Sequence, residues 1–162
     1  GPERSGPIIR THPVPLDRTT PVGVLGAGAM GAGIAQVALV RGHPVVLADA
    51  RPDAAAHAAE SIGRALAREI EKGRLPPADA DAAFRRLHVV RGIEDLGAFA
   101  ECGLVIEAIV EDLQVKREAF RRIEGVVADD AVLATNTSSL AVAAVAGACR
   151  RPERVLGVHF FN

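Results

Sequence analysis

A short apolar run, PVGVL (21–25), stops at Gly26, and a helical pattern begins within a few residues. The junction reads GAGAMG (26–31). A G-x-G-x-x-G turn between a strand and a helix constrains the chain more than any other feature it carries. Gly26 permits the tight turn, Gly28 lets the backbone approach a pyrophosphate, and Gly31 lets the helix lie close to the strand. The helix N-terminus then turns unpaired N–H groups and a partial positive charge toward the phosphates.

A second apolar strand, PVVLA (44–48), ends at Asp49. A carboxylate at that point accepts hydrogen bonds from the adenosine ribose hydroxyls and repels a 2′-phosphate, which favours NAD over NADP. Arg51, two residues on, is a cation close enough to weaken that preference. The alternative reading of these residues is a glycine-rich turn beside a solvated aspartate.

The rest of the chain keeps the same rhythm. Helical spacing runs through 29–41, with Met30, Ile34, Val37 and Ala38 as apolar positions, and ends at Gly42. Ala59, Ile62, Leu66 and Ile70 share one face of a long helix over 53–72, which Gly73 and Pro76-Pro77 end. A short helix is expected around 79–87. Strands are expected at 87–92, 104–109, 131–135 and 154–161, and helices at 112–127 and 139–148. Strands alternating with helices of this length predict an α/β fold: a doubly wound, mostly parallel sheet of Rossmann type, with helices on both faces. The expected strand order is 3-2-1-4-5-6. Residues 1–19, with Pro at 2, 7, 13 and 15, read as an irregular leader or an engineered remnant. Residues 20–162 form the dinucleotide-binding domain.

Composition narrows the function classes. The 162 residues carry a net charge of −1, which excludes the basic excess of a non-specific nucleic-acid binder. Trp and Tyr are absent, which argues against aromatic stacking platforms. No apolar run is long enough for a membrane span, so neither nucleic acid nor membrane is an expected partner. Cys102 and Cys149 cannot build a disulfide framework and read as small packing groups, and no metal cluster is visible.

Four segments occur in order: GAGAMGAGIAQ (26–36), VIEAIVEDLQVKREAF (105–120), ATNTSSL (134–140) and GVHFFN (157–162). Together they resemble the NAD-binding domain of the L-3-hydroxyacyl-CoA dehydrogenase family over about residues 20–162. The resemblance implies oxidation of 3-hydroxyacyl-CoA to 3-ketoacyl-CoA, as in fatty-acid β-oxidation, with NAD as cofactor and an acyl-CoA as substrate. It implies that His159 takes the proton from the 3-hydroxyl, a task suited to an imidazole. Ser138 is the matching serine that holds the substrate oxygen; capping of the helix near Leu140 by Ser138 or Ser139 is the other reading. Asn136 and Asn162 match asparagines near the cofactor end of the cleft. Glu111 and Lys116 match residues near the NAD; the competing reading is an ordinary helix start.

Arg64, Arg68 and Lys72 recur every four residues and make a basic stripe. The resemblance brings this region, and Lys72 above all, near the CoA moiety, whereas the preferred reading of the stripe is a solvated face, with Glu60 and Arg64 as an ordinary i,i+4 pair. In the family, a proline follows the HFFN motif, then a Glu that orients the His, then a mostly helical C-terminal domain that completes the substrate cleft and dimer interface. The chain stops at Asn162, so the expectation is a fragment that binds NAD with little or no turnover. The corresponding full-length protein would be a cytoplasmic homodimer. A non-catalytic dinucleotide-binding module and a dehydrogenase for another 3-hydroxy acid are the alternatives.

Overall fold

In the computed structural model, residues 16–137, 140–160 are described; Ser138 and Asn162 therefore lie outside the described residues, as does most of the expected leader. Six strands form one sheet: β1 (Val22–Leu25), β2 (Val45–Asp49), β3 (Leu87–Arg91), β4 (Leu104–Glu107), β5 (Val132–Asn136) and β6 (Val155–Val158). Their order is β3-β2-β1-β4-β5-β6, and every pairing is parallel. The doubly wound α/β architecture expected from the sequence is the one observed.

The strand period of two divides the core. Val22, Val24, Val45 and Leu47 face one layer, packed by Ile34, Ala35 and Leu39 of α1 (Ala29–Val40) and by Ala58, Ile62 and Leu66 of α2 (Ala54–Glu71). Ala80 and Ala83 of α3 (Pro77–Arg85) join that layer. Leu25, Ala48, Val105 and Leu133 face the other, against Phe120 and Ile123 of α4 (Leu113–Glu124) and Val145 of α5 (Val142–Ala146). A parallel sheet buried on both faces accounts for strands that read as continuous apolar runs rather than alternating ones.

Among the departures from the sequence expectation, two boundaries and one added turn have a clear physical reason. Pro77 occupies the first turn of α3, where its missing N–H costs nothing, so this helix starts two residues before the expected 79. β6 closes at Val158, short of the expected end, because β5, its only neighbour among the described residues, pairs with it no further than Asn136. A 3-10 turn at Gly97–Phe99, unmarked by periodicity, seats Phe99 fully buried against Gly23 of β1; a Cβ on Gly23 would fall 2.5 Å from the ring.

Candidate nucleotide-binding cleft

Gly26, Asp49, Glu111, Asn136 and His159 lie at or after the carboxyl ends of β1, β2, β4, β5 and β6, the edge at which parallel α/β sheets bind ligands. The turn after β1 is tightly specified. Gly26 has φ +110°, and a Cβ there would sit 2.4 Å from the Ala108 carbonyl oxygen. A Cβ on Gly31 would lie 1.7 Å from the Gly26 carbonyl oxygen, so α1 can rest on the turn only through glycine. Gly28 differs. It is exposed, its φ of −73° suits any residue, and a Cβ would meet nothing within 4 Å. Protein packing therefore does not require glycine at 28, whereas close approach of a ligand to the backbone does. Among the described residues no side chain caps α1, which leaves its first-turn N–H groups for that ligand. The geometry thus fits a dinucleotide pyrophosphate.

A cavity of about 770 Å³ opens beside this turn, lined by Gly28, Arg51, Asp53, His57 and Arg68 among others. Asp49 is buried at the end of β2, behind Ala27 and Arg51, which do line the cavity. Its Oδ2 accepts from the Ala27 N–H at 2.7 Å, and its Oδ1 from the Arg51 N–H at 2.8 Å. The Arg51 guanidinium adds Nε to Oδ1 and Nη2 to Oδ2, both at 3.0 Å. Burial pushes the Asp49 carboxyl up; the guanidinium and the two backbone donors overcome this and hold it below the usual aspartate range.

A second cavity, about 310 Å³, is lined by Met30, Ala108, Ile109, Glu111, Asn136, His159 and Phe160. It brings together Glu111, Asn136 and His159, which three separate motifs supplied. His159 is exposed just past β6. The Asn136 Oδ1 accepts the Phe160 N–H at 3.4 Å, tying the end of β5 to the residue after His159.

Beneath this second cavity lies a polar network that sequence reasoning did not find. Glu107, at the end of β4, accepts from Lys116 Nζ at 2.5 Å, from Thr135 Oγ1 at 2.6 Å and from the Ile109 N–H at 2.7 Å. Lys116 Nζ also lies 3.1 Å from Glu111 Oε1, and Thr137 Oγ1 donates to Glu111 Oε2 at 2.7 Å. Lys116 is completely buried, so its ammonium reaches the cleft through Glu111. A charged residue ending the apolar run LVIEAI was the available signal for Glu107. Lys72 stands elsewhere: it caps the C-terminus of α2 at the surface, outside the lining of both cavities. No group of residues able to hold a metal ion occurs among the described residues, and no described helix is long and apolar enough to cross a membrane.

A glycine turn, an acidic residue ending β2 and a cleft along the carboxyl edge of a six-stranded parallel sheet define a dinucleotide-binding domain of the dehydrogenase class. Residues 21–162 match the family described as 3-hydroxyacyl-CoA dehydrogenase, NAD binding domain, and the chain belongs to that family. It is 42% identical over 139 residues to the fatty acid oxidation complex subunit alpha of Pseudomonas putida, covering 86% of this chain and 19% of that protein. The solved structure of 3-hydroxybutyryl-CoA dehydrogenase from Escherichia coli superposes with a TM-score of 0.84 at 40% identity, over 91% of this chain and 30% of that one. The (S)-3-hydroxybutyryl-CoA dehydrogenase of Ralstonia eutropha gives a TM-score of 0.83 at 33% identity, over 89% and 50%. The chain therefore spans about a fifth of its curated relatives. Its cofactor is NAD.

Proposed function

We propose that this chain supplies the NAD-binding half of an enzyme that oxidises (S)-3-hydroxyacyl-CoA to 3-ketoacyl-CoA. The observation that carries the reading is the convergence of Glu111, Asn136 and His159 on one cavity that adjoins the glycine turn through Met30. When bound, NAD supplies an acceptor for the hydride that leaves C3 of the substrate. His159 takes the hydroxyl proton as C3 loses that hydride, which leaves a C3 carbonyl and an imidazolium. Ser138, next in the chain to Thr137, holds the substrate oxygen. Asn136 and Asn162 serve the carboxamide end of the cofactor, and Gly26, Gly28, Gly31 and Asp49 its pyrophosphate and adenosine ribose. Lys116 positions Glu111 along that edge.

The acyl-CoA and its remaining contacts belong to a mostly helical second domain, which also carries the homodimer contacts; Lys72, at the surface end of α2 and outside both cavities, reads as a solvated cation. The expected setting is the cytoplasm. The test follows NADH oxidation with acetoacetyl-CoA, using a protein that carries the second domain, its His159→Ala variant, and the 162-residue chain. Turnover by the first, reduced about 10²–10⁴-fold in the variant and absent from the 162-residue chain, is expected. Binding of NAD without turnover by any of them would instead favour a non-catalytic dinucleotide module.

A further inference from the structure

Asp49 is the residue a ribose diol would need, and its acceptor positions are filled. A carboxylate offers two oxygens and about four lone-pair sites. Oδ1 takes the Arg51 N–H and Nε, and Oδ2 takes the Ala27 N–H and Arg51 Nη2. The two backbone donors are part of the turn after β1 and the end of β2, so they stay. The guanidinium can leave: the Arg51 side chain is 69% exposed, whereas that of Asp49 is 9% exposed. Such half-exposed pairs are held weakly, because water competes for both partners. Arg51 also lines the cavity that contains Gly28, so a displaced guanidinium remains beside the ribose position. The other acidic group there, Asp53, already faces Arg91 at 3.3 Å.

We infer that Arg51 sets the discrimination between NAD and NADP at this site, a step that rests on the NAD-cleft reading above. As a clamp on Asp49 it competes with the ribose hydroxyls of NAD. Once displaced, it is a planar cation next to the 2′ position, with a donor fork that matches a phosphate. A 2′-phosphate recruits Arg51; a 2′-hydroxyl has to evict it. The chain therefore rejects NADP less sharply than a lone carboxylate at the end of β2 would.

The test is calorimetric titration of the chain with NAD and with NADP, without substrate, for wild type, Arg51→Ala and Arg51→Gln. Both variants are expected to bind NAD up to about fivefold more tightly and NADP more weakly. The ratio of the two dissociation constants then widens by about threefold or more. A ratio that moves less than this, or narrows, overturns the inference and leaves the NAD-cleft reading standing. No binding of either dinucleotide to the wild-type chain at millimolar concentration overturns both.

Discussion

Lys116 Nζ lies 2.5 Å from Glu107 Oε2, with both side chains sealed from solvent. This pair joins α4 to the end of β4, and Thr135 Oγ1 extends it to β5. Removing one partner of such a pair strands the other charge in a poorly solvated site, which costs about 3–5 kcal/mol. Lys116→Met is therefore expected to lower unfolding free energy by that amount in urea titrations. The double variant Glu107→Gln, Lys116→Met removes both charges and is expected to cost clearly less than the sum of the single changes. Additive costs would show that the two groups are not coupled.

The glycine turn separates packing from binding. Gly31→Ala drives a Cβ into the Gly26 carbonyl oxygen and should destabilise the fold by about 3 kcal/mol or more. Gly28→Ala meets nothing, so its thermal midpoint should stay near the wild-type value, while NAD affinity falls by about tenfold or more as the methyl occupies the path of the pyrophosphate. If Gly28→Ala binds NAD as the wild type does, the pyrophosphate does not lie against this turn.

Acid should weaken the fold through two carboxyls. Glu124, at the end of α4, accepts the Arg150 and Arg151 N–H groups at 2.7 and 3.1 Å, with Arg154 Nη2 3.4 Å away. Burial raises its pKa, and these donors together with Arg154 more than reverse the effect, as happens at Asp49. Groups depressed in the folded state contribute stability above the ordinary carboxylate range and lose it as pH falls through their folded values. Stability is expected to drop below about pH 4.3. Glu124→Gln should cost about 1–3 kcal/mol at neutral pH and flatten the acid limb. An acid limb of unchanged steepness in this variant would mean that Glu124 is not among the groups responsible.

Cys102 offers a probe of opening. It is buried in the core layer that contains Phe99, and burial, with Glu101 adding to it, pushes its thiol up to about 12. Thiolate is the reactive form, so aromatic disulfide reagents should leave Cys102 unmodified in the native chain and label it only in denaturant. Labelling at the rate of a free thiol in native buffer would contradict the packing around Phe99.

The architecture was legible because its signals are local and physical. The period of Ala59, Ile62 and Leu66, the stop at Gly73 and the runs of β-branched residues are each set by neighbours in the chain, and their alternation leaves little choice but a parallel sheet. The glycine turn was legible for the same reason. Glu107 was missed because a single charge at the end of an apolar strand shows no partner in sequence; Lys116 is nine residues away and Thr135 lies on another strand. Asp49 was legible as the acidic residue that ends β2, whereas the fork that Arg51 lays across it depends on side-chain geometry.

The amino-acid sequence by itself determined the order of elements, the glycine turn and the family, because these depend on spacing along one strand-to-helix junction and on motifs read in order. Only the tertiary structure decided which of the candidate polar residues share a cavity, which are buried in ion pairs and which acceptors are already occupied. Those facts arise where β1, β2, β4, β5 and β6 end side by side, from residues separated by as much as the distance between Gly26 and His159, and no local pattern records such a meeting.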